Sequence, residues 1–350
     1  MEALWLILLL LLLMAYVVLD GFDIGTGIVL GAVSKTDRDR RAVRKAIGPV
    51  WHGNQVWLIA AAGTMYFAFP LLYASSFSGF YLPLMMILWL LILRAIGIEF
   101  HGHIDNPVWN RFCDGLFSFS SVLLAIIFGV VSGNVIRGVP LSEDGYFFQP
   151  LWTTWKLSRN PGILDWYTVL VGATALVILS VHGALYIAAK TTGQINARSR
   201  RLVAALSPGL LVLTGSSLVT TALVRPDILE HYTSRPVSFL ILFIVLGSMA
   251  IMLLASRKDK DTLAFISSSL YIAGMIGGTA WGLYPNVLPA TTNPAHSLTV
   301  YSTAAGRYSL SAALPWWLMG MILVLVYFAL VYYMFRGKVE PDTGLADVHG

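Results

Sequence analysis

Two carboxylates stand where lipid would be expected. The first apolar run, from about residue 3 to residue 33, contains Leu19-Asp20-Gly21-Phe22-Asp23-Ile24-Gly25. A charge near the bilayer centre costs about 2.5–3.5 kcal/mol even on insertion scales, so such a residue normally faces a bundle interior and marks function. Asp20 and Asp23 are three residues apart and share one face of a helix. A second polar group follows Pro49, a residue suited to a first helical turn, in Trp51-His52-Gly53-Asn54-Gln55-Val56-Trp57. Arg94 and Glu99 close the third apolar run, and Asp114 stands just before the fourth. Once the helices are oriented, Asp20, Asp23, His52, Asn54, Arg94, Glu99 and Asp114 all fall in the inner half of the first four. Titratable groups strung along one depth are what a proton inlet needs. The same residues also read as a lock, with Arg94 paired to Asp23 or Asp114, although a buried pair is weak evidence for stability by itself. The two readings are compatible, and a plainer one has both acids satisfied by neighbouring helices.

Other chemistry has less support. Glu99-Phe100-His101-Gly102-His103-Ile104-Asp105 offers metal-ligand types, but on an inside loop, where such side chains are usually solvated. His182 lies within an apolar run and could ligate haem iron; more often such a histidine is hydrogen-bonded inside the bundle. No phosphate-binding loop, dinucleotide fingerprint, CxxC or CxxCH occurs. The single cysteine, Cys113, excludes an intrachain disulfide framework and a cysteine-rich metal site.

The elements that must position these groups are membrane helices. The 350 residues are 57% hydrophobic and only 12% charged, with a mean hydropathy of +0.73. A soluble domain carries nearer 25% charge. Nine apolar runs predict nine spans at about 3–33, 50–72, 76–98, 116–137, 165–190, 202–224, 237–256, 262–283 and 309–335. No basic region precedes the first run, which is too long for a signal peptide and is expected to stay as a helix. Of the 23 lysines and arginines, 17 fall on one side of this layout, including Lys35, Arg38, Arg40, Arg41, Arg44 and Lys45 in the first link. That side is cytoplasmic, which puts the N-terminus outside and the C-terminus inside. The net charge of +5 is then a topology signal and not a sign of nucleic acid.

The longest link, 138–164, divides the chain. The layout predicts a first four-helix bundle over 1–137, a second over 165–283, an outer loop over 284–308, a peripheral helix over 309–335 and a cytoplasmic tail over 336–350. The last span is apolar on every face, with Pro315-Trp316-Trp317 as an interfacial anchor at its outer end. Gly21/Gly25, Gly27/Gly31, Gly129/Gly133 and Gly274/Gly278/Gly282 follow the small-xxx-small spacing that lets helices approach closely. These stripes predict that spans 1–4 or 5–8, rather than span 9, meet a large partner. Asp20-Gly21 and His182-Gly183 form a faint internal echo.

Taken together, the chain resembles subunit II of the cytochrome bd-type quinol oxidases. The resemblance rests on Leu19 through Gly25 and on Trp51-His52-Gly53-Asn54-Gln55-Val56-Trp57-Leu58. Weaker matches are Tyr73 through Gly79-Phe80-Tyr81, Leu93-Arg94-Ala95-Ile96-Gly97, Asp114 and His182-Gly183-Ala184-Leu185-Tyr186. It implies an all-α membrane protein of two four-helix bundles plus a peripheral helix, paired with a haem-bearing subunit I in the bacterial inner membrane. Subunit I would hold the three haems, of types b and d, and the quinol site where electrons are drawn to reduce dioxygen to water. Subunit II would ligate no haem and would hold no catalytic residue. It would support its partner and supply a proton path from the cytoplasm. Small single-span subunits, membrane lipid and a structural quinone are further associations the resemblance allows. By position, Asp23, Trp51, Arg94 and Asp114 match residues tied to assembly or haem retention, and Asn54 and Trp57 belong to the same partner-supporting motif. His52 replaces the acid usual after the tryptophan, which puts the usual proton path in doubt, although histidine can itself relay protons near neutral pH. Two other classes compete. One is a stand-alone proton or cation transporter built on Asp20, Asp23, His52 and Arg94. The other is a haem protein using His52 or His182.

Overall fold

The computed structural model describes residues 1–339, so residues 340–350 of the tail expected over 336–350 lie outside the described residues. Thirteen helices follow one another: α1 Glu2–Val33, α2 Asp37–Ile47, α3 Trp51–Ala68, α4 Pro70–Gly79, α5 Tyr81–Glu99, α6 Pro107–Arg137, α7 Trp166–Lys190, α8 Gly193–Val224, α9 Pro226–Ser234, α10 Phe239–Arg257, α11 Asp261–Leu283, α12 Val300–Thr303 and α13 Arg307–Met334. A two-stranded antiparallel ribbon, β1 Asn286–Leu288 with β2 Leu298–Thr299, lies between α11 and α12. Eight helices among the described residues are long and apolar enough to cross a membrane: α1, α5, α6, α7, α8, α10, α11 and α13.

The second expected span behaves differently. Pro70 cannot donate a backbone hydrogen bond and disfavours a helical residue before it. Phe69 accordingly leaves helical geometry, at φ −136° and ψ 63°. The run predicted over 50–72 therefore stops at Ala68, and the third begins at Tyr81 rather than near 76. With 18 residues that include His52, Asn54 and Gln55, α3 falls short of the apolar content of the other eight. Conversely, α6 and α8 start nine residues before their apolar runs, at Pro107 and Gly193. Hydropathy marks where a helix enters lipid, not where its hydrogen bonding begins.

The centre of the molecule is α1, which packs on α3, α6, α7 and α11. Its closest neighbour is α7. A Cβ at Gly25 would sit 2.0 Å from the Leu179 carbonyl oxygen, and one at Gly183 would sit 2.2 Å from the Gly25 carbonyl carbon. Two further stripes are also spent within the chain. Gly129 and Gly133 of α6 meet Gly172 and Thr168 of α7, while Gly274, Gly278 and Gly282 of α11 meet Val245, Tyr232 and Ile228. These stripes bring the chain's own helices together and so do not by themselves mark a partner's face. Among α13 residues only Leu310 is buried. This helix touches the rest through the Leu310 carbonyl, which accepts from Trp5 Nε1 at 3.2 Å, through Trp317 Nε1, which donates to Thr64 Oγ1 at 3.2 Å, and through Phe328 beside Trp57 and Tyr332 beside Asn54.

The segment between α6 and α7 is tied down by polar groups. Arg137 binds the Asp165 carboxylate and donates to Asn134 Oδ1 at 2.5 Å. Gln149 Nε2 donates to the same Asn134 oxygen at 3.1 Å. Asp165 in turn caps α7 by accepting from the backbone N–H groups of Tyr167 and Thr168, each at 2.9 Å.

Candidate functional site

The site is built on two opposite faces of α1. One face is fixed to the second half of the chain. His182 Nε2 lies 2.9 Å from the Val18 carbonyl and Nδ1 lies 2.7 Å from Ser268 Oγ, so one imidazole joins α1, α7 and α11. Phe22 stacks on Tyr186 at 3.9 Å. The other face carries Tyr16, Asp20, Asp23 and Gly27, spaced four, three and four residues apart, toward α3, α5 and α6.

Asp20 and Arg94 are both fully buried, and Arg94 NH2 donates to both Asp20 oxygens at 2.7 and 2.9 Å. Pairing of Arg94 with Asp23 or Asp114 is thereby corrected. Side chains on a helix lean toward its N-terminus. Arg94, near the end of α5, therefore leans back toward Tyr81 and meets Asp20, whereas Asp114, in the second turn of α6, leans back toward Pro107 and away from Asp20. Asp23 Oδ2 accepts from Asn54 Nδ2 at 2.8 Å, and the same amide nitrogen reaches the Leu19 carbonyl at 3.3 Å. Tyr332 OH donates to Asn54 Oδ1 at 3.0 Å, which draws α13 to α3 and α1 through one amide.

Asp114 belongs to a separate cluster, with α2 and the loop after α5. It takes Arg44 at 2.5 Å, Arg40 at 3.5 Å and His101 at 3.6 Å. Arg44 also donates to the Gly97 carbonyl at the end of α5, at 2.9 Å. On its other side, α2 places Asp39 2.7 Å from Arg198 of α8, and its Ala46 carbonyl accepts from Tyr186 OH of α7 at 2.7 Å. The amphipathic helix α2 is thus a clasp over both halves of the chain. Burial lowers the Arg44 pKa, opposed by the hydrogen bond and charge of Asp114. Burial, then the Arg44 charge, holds the His101 imidazole below its usual range, so it is neutral beside Asp114 at neutral pH.

His52 does not join Asp23. Its side chain is 69% exposed and stands 3.5 Å from Glu99, itself 54% exposed, on the lateral surface of α3 and α5. There it lines an open cleft with Val56 and Tyr327. Trp51 is buried and lies against the His52 ring at 3.8 Å, and Trp57 is buried beside Phe328. The expected single chain of seven groups therefore divides in three: the buried Asp20–Arg94 and Asp23–Asn54 pairs, the Asp114 clasp, and the exposed His52–Glu99 pair. The clasp was missed in the sequence. Its signals were the Thr36/Asp39 capping box and the apolar Ala42, Val43, Ala46 and Ile47 on one helical face.

Among the described residues, no three His, Cys, Asp or Glu side chains gather as a metal set. The 99–105 loop disperses: His101 turns to Asp114 and His103 packs on Phe100. Both ring nitrogens of His182 are engaged within the bundle, so the arrangement suits a helix tie and not an iron ligand.

These features define a helical membrane protein whose interior charges join its own helices. The chain belongs to the cytochrome bd terminal oxidase subunit II family, whose profile matches residues 1–335. It is 30% identical to a probable cytochrome oxidase subunit 2 of Haemophilus influenzae, over 97% of this chain and 95% of that protein. It is 28% identical to the cytochrome bd-I ubiquinol oxidase subunit 2 of Escherichia coli over the same shares. The cytochrome bd ubiquinol oxidase subunit 2 of Bacillus subtilis is 26% identical, over 97% of this chain and 98% of that protein. A chain in the bd oxidase structure from Geobacillus thermodenitrificans superposes with a TM-score of 0.70 at 14% identity, covering 95% of this chain and 98% of that one, which shows a common fold. The protein is accordingly a multi-pass component of a bacterial inner-membrane respiratory oxidase.

Proposed function

We propose that this chain is the accessory subunit of a bd-type quinol oxidase and stabilises a haem-bearing subunit I. In that partner three haems, of types b and d, would carry electrons from quinol to dioxygen, forming water. The observation that carries the reading is that Asp20, Asp23, Arg94 and His182 each join neighbouring helices of the same chain. Asp20 takes Arg94, Asp23 takes Asn54, and His182 takes Val18 and Ser268. Such an interior suits a rigid support better than a redox centre. Removing this chain from cells that retain the partner is expected to abolish quinol-dependent oxygen uptake by their membranes, and restoring the full chain is expected to return it. Uptake that persists without the chain would refute the reading.

The support reading includes nine spans, with α3 as the ninth crossing, the N-terminus outside and the C-terminus inside. The distribution of lysine and arginine favours this orientation. Reporter fusions at Gly145 and Lys258 are expected to report opposite sides, and one side for both would refute the layout. The second part of the proposal is proton supply from the cytoplasmic face, favoured by ionisable groups at both the clasp and the α1 interior. A stand-alone ion transporter would instead move protons or cations as a purified single chain.

A further inference from the structure

We propose that the interior cluster of Tyr16, Asp20, Asp23 and Arg94 is a hydrated site that stores one proton beyond its ion pair, filled from the cytoplasmic side past the hydroxyls of Thr26 and Ser121. The proposal rests on the reading of this chain as a proton-supplying subunit and places that supply along the α1–α6 seam, away from His52.

The first argument is charge. Two carboxylates and one guanidinium leave one negative charge among side chains that are all fully buried. Arg94 NH2 spends itself on both oxygens of Asp20, while Asp23 receives one amide hydrogen bond and nothing at Oδ1. The other polar groups nearby are engaged elsewhere: Tyr332 OH with Asn54, and Tyr186 OH with the Ala46 carbonyl. An uncompensated carboxylate in such a place is cheapest in its neutral form, with a proton drawn from water on the cytoplasmic side.

The second argument is that seven buried polar atoms on α1, α3, α5 and α6 make no hydrogen bond among the described residues. Arg94 Nε, Arg94 NH1 and Trp57 Nε1 are donors, Asp23 Oδ1 is an acceptor, and Tyr16 OH, Thr26 Oγ1 and Ser121 Oγ are both. A bare anion would meet two aspartates and a bare cation would meet Arg94. Only a small molecule that both gives and takes hydrogen bonds suits the mixture, and water needs two to four such partners.

The third argument is the route. Thr26 is three residues cytoplasmic of Asp23 on α1, and Ser121 is seven residues beyond Asp114 on α6, both with no exposed surface. The two helices touch there, since a Cβ on Gly27 would fall 2.1 Å from Ser121 Oγ. Buried helical hydroxyls normally bond to the carbonyl four residues back. Ser120, Thr174 and Ser180 do so at 2.6, 2.8 and 2.6 Å. Thr26 and Ser121 do not, which leaves their hydroxyls free to pass a proton between the Asp114 clasp and Asp23.

Infrared spectroscopy of the purified, assembled complex tests this. The wild type is expected to show a protonated-carboxyl C=O band at neutral pH that shifts on transfer to D2O. Asp23→Asn should remove it. The double variant Thr26→Val/Ser121→Ala should keep the band but exchange roughly tenfold more slowly. Should Asp23→Asn fail to assemble, Asn54→Ser withdraws the amide from Asp23 Oδ2 and should move the frequency of the same band. A band untouched by the Asp23 and Asn54 variants, or exchange unchanged in the double variant, overturns the proposal. A preparation without haem and without quinol-dependent oxygen uptake refutes the functional reading itself. One that has both but lacks the carboxyl band refutes only the stored proton.

Discussion

Arg94→Leu is expected to lower the stability of the folded chain by about 3–5 kcal/mol, the usual consequence of removing one partner from a buried ion pair. That is a large part of the 5–15 kcal/mol that typically separates folded from unfolded states. The reason is local. Asp20 has no exposed surface, and its two oxygens both depend on Arg94 NH2. Leucine fills the space but leaves the carboxylate unpaired. Removing both charges should be milder, because a buried pair exchanged for apolar groups is often nearly neutral. The expected order of thermal stability in detergent is therefore wild type, then Asp20→Leu/Arg94→Leu, then Arg94→Leu. If Arg94→Leu melts with the wild type, the pair does not hold α1 to α5.

Gly25→Val and Gly183→Val are expected to be at least as damaging. Overpacking a well-filled contact commonly costs about 1–3 kcal/mol and sometimes more. Here the obstacle is backbone, which cannot rotate away. The added Cβ would lie 2.0 Å from the Leu179 carbonyl in the first case and 2.2 Å from the Gly25 carbonyl carbon in the second. Separating α1 from α7 would also stretch the His182 contacts to Val18 and Ser268. Gly31→Ala provides the contrast, since a Cβ there meets nothing within 4 Å. It should be neutral or slightly stabilising, as alanine is the better helix former. Melting curves of the three purified variants check the claim, and equal stability for Gly25→Val and Gly31→Ala would contradict the close crossing.

Much of this arrangement is legible in the sequence, and its gaps have physical causes. Hydropathy finds the helices because lipid demands long apolar runs. Asp20 and Asp23 announce the interior because nothing else can hold them. What hydropathy lacks is phase and direction. His52 and Asn54 are two residues apart, hence about 200° apart around α3. Since Asn54 meets Asp23, His52 must point outward, as its 69% exposed side chain does. The choice of Asp20 by Arg94 follows from the lean of side chains toward each helix N-terminus, which spacing alone does not carry. The clasp α2 was hidden because its charges dominate its composition, although Thr36 and Asp39 cap it and its four apolar residues share a face. The break at Phe69 could have been read from Pro70, which an apolar run conceals. Partner choice among the glycine stripes could not be read at all, because close approach looks the same whether the second helix is internal or foreign.

The central claim is that this chain supports an oxidase without ligating its haem. The most direct test is to purify the affinity-tagged full chain from the native membrane and, separately, after expression alone, recording the haem spectrum of each. The expected result is a spectrum with b- and d-type bands only when a second, larger subunit is present in the preparation, and a colourless chain when it is absent. A haem spectrum carried by the single chain, or a native preparation with neither second subunit nor haem, would contradict the account.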